Sequence, residues 1–131
     1  MRYLITFSYD GTNFSGYQKQ PLLTTVESEI EKALKFINGG SDIRIHSSGR
    51  TDRGVHALNQ KAHFDLDKKI PIYKLKRALN SYTREDVYIK SVEIIDDNFH
   101  ARYMVKKKIY EYKINTEEYN PLTRNYMYQY N

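Results

Sequence analysis

Tyr3, Ile5, Phe7 and Tyr9 alternate with Leu4, Thr6 and Ser8 at the start of the chain, and the apolar spacing then changes to Val26, Ile30, Ala33, Leu34 and Ile37. A period of two lines up one face of a strand; a period near 3.6 lines up one face of a helix. The switch between them asks for a sheet with helices against it. Asp10-Gly11 ends the first strand as a turn. Thr24-Thr25-Val26-Glu27 has the spacing of a capping box at the helix start, and Asn38-Gly39-Gly40 stops the helix.

The pattern continues in the same alternation. Ile43 and Ile45 mark a second strand, and Leu58, Gln60, Ala62, Phe64 and Leu66 form the inward row of a third. Pro71 stands where a second helix begins, with Ile72, Leu75, Ala78, Leu79 and Tyr82 as its apolar stripe. Residues 87–95 read as a fourth strand and 103–115 as a long fifth. The order β-α-β-β-α-β plus an extra strand predicts an α+β, ferredoxin-like fold, with helices on one face of an antiparallel sheet and the other face available. Residues 117–131 read as a loop and the start of another strand, ending abruptly in Tyr126-Met127-Tyr128-Gln129-Tyr130-Asn131 as if the chain were cut.

Composition narrows the chemistry. At 131 residues the chain has the size of one domain. The absence of Cys excludes disulfides, cysteine nucleophiles and thiolate metal sites. No apolar run approaches the length of a membrane span and nothing at Met1 resembles a signal peptide, which predicts a cytoplasmic protein. A formal charge of +5 together with 13 Tyr and no Trp suits nucleic acid, where cations meet phosphates and rings meet bases.

Several motifs carry nothing. Gly11-x4-Gly16 has the glycine spacing of a phosphate loop, but Tyr17-Gln18 replaces the Lys-Ser/Thr pair. His46, His56, His63 and His100 lack ligand spacing, so no metal is expected. Ser47-Ser48 has no nucleophile-elbow pattern. The dense segment is Ser48-Gly49-Arg50-Thr51-Asp52-Arg53-Gly54-Val55-His56-Ala57, between the second and third strands. Arg50 and Arg53 close to Asp52 predict a carboxylate kept ionised by charge and hydrogen bonding, suited to act as nucleophile or base on an anionic substrate. A hairpin loop that merely uses Asp and Gly as turn residues is the plainer alternative. A second segment, Phe99-His100-Ala101-Arg102 followed by Lys106-Lys107-Lys108-Ile109-Tyr110-Glu111-Tyr112, would put lysines and tyrosines on one strand face. That pattern fits RNA contacts or an ordinary aromatic ladder.

Gly49-Arg50-Thr51-Asp52-x-Gly54-Val55-His56-Ala57 resembles the signature of TruA-type tRNA pseudouridine synthases. Tyr9-Asp10-Gly11-x4-Gly16-Tyr17-Gln18-x-Gln20, Phe99-His100-Ala101-Arg102 and Tyr110-x-Tyr112 are similar to further blocks of that family, in the same order. The resemblance implies the N-terminal half of a pseudouridine synthase fold. Residues 1–100 would form the ferredoxin-like N-terminal catalytic domain, and 101–131 the central strand and the start of a truncated C-terminal half. It implies an isomerase of tRNA processing that converts uridine to pseudouridine at positions 38–40 of the anticodon stem-loop, a homodimer when full length, with no cofactor and no metal. By the same resemblance Asp52 matches the catalytic aspartate, and Tyr110 the tyrosine packed on the target uracil. Arg50 matches the arginine that handles the flipped nucleotide, while Arg102, Lys106 and Lys108 would be phosphate contacts. The family is about twice this length, and an arginine expected to pair with the aspartate lies in the missing half, so the fragment alone is expected to be inactive. Tyr17 stands where many members carry Trp. A non-catalytic RNA-binding module on the same sheet remains the alternative, although the chain lacks the RNP1 pattern, and a plain scaffold or oligomer-forming domain is a third reading.

Overall fold

The computed structural model describes residues 1–99, 111, 113–126 and 128–129. Its elements are β1 (Arg2–Tyr9), α1 (Val26–Ile37), β2 (His46–Ser47), β3 (Ala57–Asp65), α2 (Ile72–Tyr82), β4 (Val87–Ile95), β5 (Ile114–Asn115) and β6 (Tyr128–Gln129). The first four strands form one sheet in the order β2-β3-β1-β4, antiparallel throughout, as the ferredoxin-like reading requires. β5 and β6 pair in parallel as a separate ribbon. Most of the expected fifth strand, 103–115, lies outside the described residues.

β1 is central because its inward row has most to hide. Tyr3, Ile5, Phe7 and Tyr9 are all buried, against Ala62 and Phe64 of β3 and Val87, Ile89 and Val92 of β4. α1 lays Val26, Ile30, Ala33 and Leu34 on that face, and α2 adds Leu75 and Leu79. Each such side chain contributes roughly 1.5–3 kcal/mol relative to exposure. Polar atoms in this layer are matched: the Tyr3 hydroxyl donates to Ile70 O at 3.0 Å and accepts from Ile70 N at 2.8 Å. The Asn80 side chain ties α2 to β4 through both the N–H and the C=O of Ile89.

Five local expectations need correction. The capping box sits one residue later, with Thr25 Oγ1 accepting from Ser28 N and Ser28 Oγ accepting from Thr25 N. Glu27 is engaged elsewhere, accepting from Lys19 N. The second strand is His46–Ser47 rather than Ile43 and Ile45, because Ile45 turns into the core and its N–H goes to the Glu31 carboxylate of α1. Leu58 is exposed: a bulge pairs Tyr9 with Ala57, so Ala57 takes the inward place. Ile72 and Tyr82 also stay largely exposed, leaving Leu75 and Leu79 to carry the α2 stripe. Finally, the sheet face away from the helices is not open throughout, since Leu4 and His63 are buried. His63 lies under the stacked ring of His46.

Candidate active site

The loop of residues 48–56 joins β2 to β3 at the end of the sheet where β1 terminates. Its first part is fastened to β3: Ser48 N donates to Lys61 O at 2.9 Å, and the buried Gln60 side chain accepts from Ser48 Oγ and donates to Gly49 O. Its middle is fastened to the segment after β1. Thr51 O accepts from Tyr17 N at 3.1 Å, and Thr51 Oγ1 lies 2.7 Å from the Tyr9 hydroxyl. Burial raises the Tyr9 pKa, against the opposing hydrogen bonds from Thr51 and Gln60. Burial pushes the Tyr17 phenol far up as well, and its hydroxyl bonds Ser47 Oγ. Both rings therefore serve as neutral supports.

Beyond Thr51 the chain turns sharply. Val55 N donates to Asp52 O at 3.1 Å, and Gly54 at φ 80° occupies the position of that turn where a side chain would be strained. The turn then packs against Gly11, where an added Cβ would sit 2.1 Å from Val55 O, so only glycine fits. His56 ends the loop. Its Nδ1 accepts from Gly11 N at 2.9 Å, which places the ring proton on Nε2, 3.2 Å from Asn125 O. Asp10 Oδ1 is 3.2 Å from the same Nδ1. An ion pair there would need a protonated ring and would displace the Gly11 bond; the shorter, N–H-directed contact is the one that defines the neutral tautomer. Asp10 also accepts from Thr12 N, Thr12 Oγ1 and the Tyr126 hydroxyl, the last at 2.7 Å. Burial alone would raise the Asp10 carboxyl; the bonds from Thr12 and Tyr126 outweigh it and hold it below its ordinary value.

Asp52 is exposed on this fastened loop. It opens on a cleft of about 450 Å³ that it lines with Arg50, Arg53, Gly16, Tyr17 and Gln18. The hydrogen bonding expected between Asp52 and its neighbouring arginines is not made: among the described residues neither Arg50 nor Arg53 pairs with Asp52. All three side chains are exposed on a tight turn. The guanidinium groups thus share the cleft without being consumed by the carboxylate. Among the described residues no cluster of His, Asp and Glu could hold a metal ion, and no helix is long and apolar enough to cross a membrane.

A profile of the tRNA pseudouridine synthase family matches residues 5–104, which include the whole Asp52 loop. The chain belongs to that family. It is 46% identical over 127 residues to tRNA pseudouridine synthase A of Streptococcus mutans, covering 96% of this chain and 51% of that protein. It is 47% identical over 131 residues to the tRNA pseudouridine synthase A of Streptococcus pyogenes, covering 99% of this chain and 53% of that one. The chain thus spans about half the length of the curated relatives it matches.

Within this pseudouridine synthase half, Asp52 and Arg50 are brought to one cleft. Tyr110, Arg102, Lys106 and Lys108 lie outside the described residues. Sequence reasoning gave Asp10 no site role, reading it as a turn residue within a family-like block, and missed the part played by Tyr126 and Asn125. The Asp10-Gly11 pair at the end of a strand was the available signal for the first, and its glycine is the one packed against Val55 O. No local pattern links Asp10 to a tyrosine 116 residues away.

Proposed function

We propose that this chain supplies the Asp52-bearing half of an enzyme that isomerises uridine to pseudouridine in the anticodon stem-loop of tRNA, at positions 38–40. The observation that carries the proposal is an exposed carboxylate on a loop fastened at its start, middle and end, beside two arginines that make no ion pair among the described residues, in one cleft within the segment matched by the family. A tRNA substrate points to the cytoplasm, and the full-length protein would act as a homodimer without cofactor.

The reaction breaks the C1′–N1 bond of uridine, turns the uracil and joins C1′ to C5; C5 loses its hydrogen and N1 gains a proton. A base stacked in the RNA cannot turn, so it has to be extruded, at a cost of a few kcal/mol. Arg50 on the cleft wall would take up part of the lost stacking and contact the adjacent phosphate. Tyr110 would hold the uracil by its face, which tolerates rotation in the ring plane. Asp52 would act on the sugar–base unit as nucleophile, at C1′ or at the ring, or as base at C2′. In every version its exposure to the cleft is required, and its negative charge would stabilise positive character at C1′.

The test uses the full-length protein and tRNA carrying 5-tritiated uridine. Asp52→Asn should abolish tritium release while tRNA affinity in filter binding stays close to wild type. Turnover retained by that variant would remove Asp52 from the chemistry; no tritium release by the wild-type protein, with tRNA binding that weakens steeply with salt, would favour an RNA-binding module.

A further inference from the structure

We infer that Asp10, His56 and Tyr126 are positioning residues that set the Asp52 loop against the chain around residue 125, so that the loop's geometry depends on that later segment being docked. The inference rests on the proposed isomerase reading. Its basis is a set of bonds that no core-packing argument requires. His56 lies four residues after Asp52 and meets two separate segments with its two ring nitrogens: Gly11 N through Nδ1 and Asn125 O through Nε2. Asp10 closes the circuit by accepting from the Tyr126 hydroxyl. The Tyr126 ring lies 5.2 Å from the His56 ring and is half exposed, so apolar burial contributes little to its placement.

The arrangement has one direction of transmission. Between Asp52 and His56 stand only Arg53, Gly54 and Val55, folded into a single turn whose carbonyl at Val55 presses on Gly11. A shift of the His56 ring therefore moves the turn, and with it the carboxylate. Displacing a reacting group by about 1 Å costs on the order of 100-fold in rate. A carboxylate in open solvent has no packing of its own to prevent such a shift, and Asp52 is exposed with no ion pair among the described residues. The network supplies the missing restraint, and it does so through residues that sequence places far apart.

The experiment compares Tyr126→Phe, His56→Ala, His56→Asn and the double variant Tyr126→Phe/His56→Ala with wild type in the full-length protein. Four quantities are read: kcat at saturating tRNA, tRNA affinity, melting temperature, and the rate of tryptic cutting at Arg50 and Arg53. Tyr126→Phe removes one hydroxyl from an exposed ring, so folding is preserved. It should lower kcat about tenfold and speed cutting in the loop, with affinity and melting temperature unchanged. His56→Ala should lower kcat by about 100-fold, and His56→Asn, which keeps an acceptor facing Gly11 N, should restore part of it. Residues acting as one unit are non-additive, so the double variant should resemble His56→Ala. Wild-type kcat and cutting rates in Tyr126→Phe and His56→Ala, or losses that multiply in the double variant, would overturn the inference. Asp52→Asn assayed alongside separates the two questions. If it is inactive while the network variants turn over normally, only this inference fails; if it too is active, the role of Asp52 fails, and if the wild type releases no tritium, the isomerase reading fails.

Discussion

The inward row of β1 and the loop of residues 48–56 are held by opposite means. Ile5 and Phe7 are fully buried among apolar neighbours, and their side chains have no hydrogen-bonding group. The loop leaves Arg50, Asp52, Arg53 and Val55 exposed and keeps its shape through bonds to β3, to the chain after β1 and to Asn125. Apolar burial is non-directional and sums over many contacts, so it gives stability; hydrogen bonds are directional and few, so they give shape. Stability and site geometry can therefore be perturbed separately in this protein.

The largest effect should come from the core. Phe7→Ala is expected to lower the free energy of unfolding by about 3–5 kcal/mol in a denaturant titration, through lost burial and the cavity left behind. At temperatures where the variant is folded, tryptic cutting of the loop should stay at the wild-type rate; faster cutting there would show that the two regions are not separable. Gly11→Ala sharpens the same comparison from the boundary. Its Cβ would need the space occupied by Val55 O, so the turn must move, with a stability loss of about 1–3 kcal/mol and a disproportionate loss of turnover. A variant that lost stability but kept wild-type turnover at a permissive temperature would contradict the contact.

Smaller effects follow. Thr25→Ala removes one side of the reciprocal cap of α1 and should cost about 1 kcal/mol, read by chemical denaturation, without altering the loop. The last test is alkaline. The bond to Asp10, and that carboxylate's charge, raise the Tyr126 pKa above its ordinary value of 10.0. The neutral phenol is the form that bonds Asp10, so the bond is present below about pH 10 and is lost as pH rises through the folded value. Asp10 runs the other way: its contribution is present above its ordinary 3.8 and is lost as pH falls below it. Tyrosinate absorbance of wild type minus Tyr126→Phe should therefore show one phenol titrating later than a free tyrosine. A step at the ordinary value would mean that the Asp10 bond is absent in solution.

Much of the fold was legible because strand and helix periods write themselves locally. The inward row of β1, the span of β4 and the Val26-Ile30-Ala33-Leu34 face of α1 all stand as read. What went astray depended on neighbours. Leu58 followed the alternation of its own strand, but a bulge against Tyr9 turned it outward. Ile45 had the look of a strand residue, but the Glu31 carboxylate claimed its N–H. The Asp52 loop stood out by its glycines and charges, yet adjacency in sequence suggested ion pairs that the turn does not make.

Residue order by itself determined the α+β alternation, the apolar face of each long element and the segment that carries Asp52, because periodicity and turn chemistry act over a few residues. Only the tertiary structure decided which polar groups hold that segment. Asp10, His56 and Tyr126 are joined by bonds whose partners lie as far as 116 residues apart, and a hydrogen bond leaves no trace in the spacing of residues that distant.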